Sequence, residues 1–131
     1  MNKETHKKLA LADLLARAEQ RAGDKKAYKQ VYIEPLGGEL TMEKIPLTRV
    51  LSMLDVVDAD SIMENLDFQS ELIYKCCPAL RDPALMEAYG VETSTEIVCI
   101  VFEDNMGAIS KAAEAILDFY GLADSKNTVK N

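Results

Sequence analysis

The chain has only one histidine and no long apolar run, and each shortage removes a class of function. The lone histidine, His6, lies in a polar, charged N-terminal stretch. Nothing there would desolvate its ring or hold one tautomer, so it is a poor general acid or base. The longest apolar run, Ile97 to Phe102, falls far short of the ~20 residues that cross a bilayer. Met1 to Lys8 is polar and lacks the apolar stretch of a signal peptide. Three cysteines occur, none in a Cys-x-x-Cys spacing. These features predict a soluble protein of a reducing cytoplasm, with no membrane partner. Cys99 sits among apolar residues and reads as a small hydrophobe. Cys76 and Cys77 are adjacent. Successive side chains on a helix point about 100° apart, so one of the pair is expected in the core and the other outside it.

Metal and cofactor patterns are also missing. Asp55, Asp58, Asp60 and Glu64 form an acidic stretch. A calcium loop needs alternating oxygen ligands and a central glycine, but Ile62 fills the next ligand position and no glycine is present. Helix capping and solvated charge are the expected roles. Gly37-Gly38 could suggest a phosphate loop, yet no Lys-Ser/Thr follows. No catalytic residue, cofactor or metal is expected.

The net charge of −7 is unevenly placed: residues 1–30 carry eight Lys or Arg against four Asp or Glu, and residues 31–131 carry seven against eighteen. An acidic body repels phosphate, so nucleic acid is not an expected partner. The short mixture of Lys25, Lys26 and Lys29 with Tyr28 and Tyr32 does not outweigh that.

What is present is a chain of 131 residues, 48% hydrophobic, long enough to bury a core without disulfide or metal. Leu11, Leu14, Leu15, Ala18 and Ala22 share one face of a helix over 9–22, closed by Gly23. Tyr28 to Ile33 and Glu39 to Lys44 read as a β-hairpin around Pro35-Leu36-Gly37-Gly38. Pro46 opens a helix with the clearest apolar stripe of the chain: Leu47, Val50, Leu51, Leu54 and Val57. A helix from Ser61 to Cys77 is expected to bury Ile62, Leu66, Leu72 and Ile73, and Pro78 ends it. Asp82-Pro83 starts a short helix that Gly90 closes. In Thr95 to Phe102, β-branched residues favour strand, but Ser94 or Thr95 can cap, and Ile97, Val98, Val101 and Phe102 would share a helical face. Helix is the reading adopted. The last helix follows Asp104 and Asn105, with Met106, Ile109, Ala113, Ile116, Leu117 and Tyr120 on one side.

The fold class predicted is mainly α with one β-hairpin (α+β), a single compact helical domain over 1–131. Within it, 1–27 is an N-terminal helix on a charged, mobile connector, 28–45 the hairpin, 46–122 the helical core and 123–131 a frayed tail. A lone hairpin is marginal in water and must lie against helices or pair with another chain. Surface binding is the function that survives, through the leading helix (Leu11, Leu14, Leu15) and the hairpin edge (Tyr32, Leu40, Met42).

Several residue strings also carry a family resemblance. They are Asp13-Leu14-Leu15, Asp24-Lys25-Lys26, Leu36-Gly37-Gly38, Ile45-Pro46-Leu47-Thr48-Arg49 and Glu71-Leu72-Ile73-Tyr74-Lys75-Cys76-Cys77-Pro78. Leu85, Ala88, Tyr89 and Gly90 follow, then Val101-Phe102, Ile109, Ala113, Ile116, Leu117 and Tyr120-Gly121. In order and spacing, from about residue 12 to 122, the chain resembles the XkdN-like phage tail assembly chaperones of Bacillus-type phages and prophages. The resemblance implies a non-enzymatic protein of the host cytosol, absent from the mature virion. It would coat the tape measure protein and recruit tail tube subunits to it. Self-association is a further partner expectation, apart from the resemblance. The matching residues are turns, caps and core positions, so no site residue is carried over. The alternative is a minor structural tail protein retained in the virion.

Overall fold

A computed structural model describes residues 6–23 and 28–122. Most of the expected connector and the whole of the expected tail at 123–131 lie outside the described residues. The described chain is an α+β fold of six α-helices and one two-stranded antiparallel hairpin. Helix α1 runs Leu11–Gly23, strand β1 Tyr28–Ile33 and strand β2 Gly38–Glu43. Helices α2 to α6 run Leu47–Asp55, Ile62–Cys76, Pro83–Tyr89, Ser94–Val101 and Met106–Asp118.

Local chemistry explains most boundaries. In the hairpin, Val31 faces Leu40 and Ile33 faces Gly38. A short 3-10 turn at Glu34–Leu36 joins the strands. Gly37 ends that turn at φ +65°, a left-handed conformation that suits glycine. Asp82 caps α4 by accepting from the Ala84 N–H, and Gly90 closes it with φ +68°. Helix α5 overrides its β-branched composition through a capping box. The Thr93 hydroxyl accepts from the Glu96 N–H, and the Glu96 carboxylate accepts from the Thr93 N–H. The cap is thus Thr93, one residue before the positions expected. Asn105 caps α6 through the Ala108 N–H. Just before it, Glu103 and Asp104 both adopt positive φ, turning the chain tightly between α5 and α6.

Helix α3 is the centre of the fold, with α5 and α6 packed on it. Its Phe68, Leu72, Ile73 and Cys76 meet Ile97, Val98 and Phe102 from the α5 side, and Ile109 and Ile116 from α6. Ala108, Ala112 and Ala113 leave α6 a row of small side chains where the core forms. The hairpin lies against helices, as a two-stranded sheet must: β1 packs on α6, and β2 on α3 and the 3-10 turn Pro78–Arg81. Val31, Ile33 and Met42 are its buried face. Tyr120, just past α6, clamps the far side of the hairpin. Its hydroxyl donates to the Ile45 carbonyl (2.7 Å) and accepts from the Ile45 N–H (2.9 Å).

Two expectations are corrected, and the α2 stripe divides. Ile62 is not core: it is the first residue of α3 and projects into solvent. Cys76 and Cys77 are both buried. The 100° argument fails because α3 ends at Cys76 and Cys77 is extended (φ −113°, ψ 103°), which turns its side chain back inward. In α2 only Val50 of the expected stripe is fully buried, while Leu47, Leu51 and Leu54 remain exposed.

Candidate interaction surface

Several ionisable groups of the body hold the fold together. Glu43 is buried and its carboxylate accepts from the Arg81 guanidinium at 3.0 Å; a second Arg81 nitrogen donates to the Lys75 carbonyl. In the acidic stretch, Glu64 accepts from the Asp58 N–H, Asp58 from the Asp60 N–H, and Ser61 caps α3 through the Glu64 N–H. These carboxylates satisfy a turn and a helix start rather than converging on a shared point. Among the described residues no group of three or more His, Cys, Asp or Glu is placed to hold a metal. Burial pushes the Cys76 thiol up to about 11 and raises Cys77 and Cys99 as well. A raised thiol carries little thiolate near neutral pH and is a weak nucleophile. His6 is exposed. No helix among the described residues is long and apolar enough to cross a membrane.

Apolar surface is what the fold leaves open. On α1, Leu11, Leu14 and Leu15 are 53–70% exposed, and Leu9 just before the helix is exposed too. Within this segment Asp13 accepts from the Ala10 N–H and pairs with Lys7 at 3.1 Å. Those two partners hold the Asp13 carboxyl below its usual range, the backbone N–H being the larger influence. The leucine face of α1 is therefore solvent-exposed.

A second apolar face lies on α2. Leu47, Leu51 and Leu54 are 40–44% exposed, and Leu51, Ser52, Leu54 and Asp55 line an open groove of about 530 Å³. Val56 and Ile62, in and after the following turn, are each 80% exposed. The sequence shows α2 as one apolar stripe and does not separate the rows that compose it. There are two rows. Val50, Met53 and Val57 face the body, and Leu47, Leu51 and Leu54 stand roughly a quarter turn away. The signal was available: the apolar arc of α2 is wider than one packing neighbour covers.

Of the six residues singled out as a binding surface, Leu11, Leu14, Leu15 and Tyr32 are exposed. Tyr32 borders a second groove of about 350 Å³ with Glu34, Asn105, Gly107, Ala108 and Lys111. Leu40 is half-buried. Met42 is wholly buried and is corrected to a core residue, because strand alternation turns it, with Val31 and Ile33, toward the helices. The structure therefore brings these six to no single patch: the leading helix and the hairpin present separate surfaces.

No protein-family model, curated protein or solved structure matches the chain.

Proposed function

We propose that the chain is a phage tail assembly chaperone that binds the tape measure and tail tube proteins during tail morphogenesis. The observation that carries this reading is α1: an amphipathic helix whose leucine face stays exposed while the other described elements build a core. A helix presenting leucines at i, i+3 and i+4 suits a groove or a second helix on another protein. The ordered resemblance of residues 12–122 to XkdN-like chaperones supplies the identity of those partners. A tape measure is long, helical and apolar. Many weak contacts repeated along it would keep it soluble and still let the chaperone leave, since avidity multiplies modest affinities. The acidic body adds solubility to such an assembly. The place of action is then the host cytosol, before the tail is complete.

The test is co-expression with the tape measure and tail tube proteins of the same phage or prophage, followed by affinity capture and sizing. Co-elution with either, lost in the Leu14→Asp/Leu15→Asp variant, is the expected result. Absence of both partners from the captured material would overturn the proposal. Abundant peptides of the chain in purified virions would favour a structural tail protein instead.

A further inference from the structure

We infer that the exposed row of α2 docks a basic amphipathic helix of another protein. Leu47, Leu51 and Leu54 recur at i, i+4 and i+7, so they form one ridge along α2. The body of the chain covers Val50, Met53 and Val57 but leaves this ridge exposed. Val56 and Ile62 add exposed apolar surface to the same stretch of chain. A ridge of this spacing fits between the side-chain rows of a second helix.

Charge beside the ridge selects the kind of helix. Asp55, four residues after Leu51, lines the same recess as Leu51 and Leu54. It is also the last residue of α2, and no basic residue stands in that turn. A carboxylate at the negative end of a helix dipole is unfavourable, and a partner's cation would offset it. Residues 47–64 carry Asp55, Asp58, Asp60 and Glu64 against the single base Arg49. Arg49 lies two residues from both Leu47 and Leu51, on the far side of the helix. Asp58 and Glu64 are tied into the turn. Among the described residues the carboxylates of Asp55 and Asp60 have no hydrogen-bond or ion-pair partner. The chain's own elements do not match this edge. Helix α1 has no net charge, with Asp13 and Glu19 against Arg17 and Arg21, and residues 31–131 are acidic. The matching occupant is a foreign helix with an apolar side flanked by Lys or Arg. This row is separate from the α1 leucines assigned above to the tail partners, so the inference does not rest on that reading.

Fluorescence anisotropy with the full chain and a labelled synthetic helix of about 18 residues tests it, the peptide carrying leucines at i, i+3, i+4 and i+7 and lysines beside them. One control peptide has glutamates in place of the lysines, and the other has glutamines in place of the leucines. The first peptide should bind at micromolar concentration, and each control at least about tenfold more weakly. Leu51→Gln/Leu54→Gln removes the ridge while keeping good helix formers, and should weaken binding at least about tenfold. Asp55→Asn/Asp60→Asn should weaken it roughly threefold to tenfold and flatten its salt dependence. Leu14→Asp/Leu15→Asp should bind as the wild type does, because α1 is not the surface used. Unchanged thermal midpoints show that the variants fold. Failure of the first peptide to bind overturns the inference, and so does equal binding of either control. Binding that survives Leu51→Gln/Leu54→Gln, or that is lost only in the α1 variant, overturns it as well.

Discussion

Replacing Tyr120 with phenylalanine isolates one long-range clamp of the fold. The hydroxyl makes two hydrogen bonds, both to Ile45, across 75 positions of sequence. Ile45 needs them. It follows the last paired residue of β2, Glu43, and precedes Pro46, which has no N–H to extend a ladder. Without Tyr120, its N–H and carbonyl lose these partners in a half-buried position. A net hydrogen bond is worth about 1 kcal/mol, and a stranded buried group costs about 1–3 kcal/mol. Water can reach part of this site, so the sum is set at about 2 kcal/mol. For a chain of this size that lowers the melting midpoint by roughly 6–10 °C. The ring itself stays, edge-on to Phe119 with centroids 6.3 Å apart and with the Lys44 ammonium over it at 5.3 Å. Packing is therefore conserved and only the hydroxyl is removed. Circular dichroism melts and urea unfolding would read the change, with an unaltered m-value and faster exchange of the Ile45 amide. Tyr32→Phe, at an exposed ring, is the control and should shift the midpoint by less than about 1 °C. A Tyr120→Phe midpoint equal to wild type, or an equal loss in the control, would refute the clamp.

Thr93→Ala breaks the α5 capping box and should cost about 1 kcal/mol in urea unfolding, against almost nothing for Ser94→Ala. Arg81→Ala removes the guanidinium from buried Glu43 and from the Lys75 carbonyl; a loss of about 2–4 kcal/mol is expected, larger than for Glu43→Gln. Stability should hold up to about pH 9 and fall as pH rises from 9 toward 11. Over that window an unfolded Cys76 thiol releases its proton while the buried one, pushed up to about 11, keeps it, and the raised Tyr120 adds to the loss above 10. Urea midpoints at pH 8, 9.5 and 10.5 should show a shallower decline in Cys76→Ala. With a disulfide thiol reagent, half-buried Cys99 should react first, and Cys76 and Cys77 only as fast as the chain unfolds.

Several features were legible before any coordinates, because neighbouring residues decide them. The turn at Gly37, the Asp82-Pro83 start, the Gly90 stop and the Asn105 cap each follow from backbone needs that a particular residue type meets locally. The helix at Ser94–Val101 was readable for the same reason, although the capping residue was misplaced by one. The burial of Leu72 and Ile73 was readable from helical spacing as well, whereas Phe68, also buried, was not among the positions expected. Of the surfaces, the leucine face of α1 could be seen as a stripe, but not that Leu11, Leu14 and Leu15 stay exposed.

Composition and spacing thus determined the helices, the hairpin, the punctuation between them and the shortage of reactive groups, since these depend on a few adjacent residues and their backbone geometry. Tertiary structure alone decided which apolar positions become core. Met42 and Cys77 went inward, whereas Ile62 and the outer row of α2 stayed out. The reason is that burial requires a neighbour at van der Waals distance. Helix α3 with its two packed helices provides that neighbour for Val50 but not for Leu47, Leu51 or Leu54. A periodic pattern records how far around a helix apolar side chains extend; how much of that arc is covered depends on what the rest of the chain places against it.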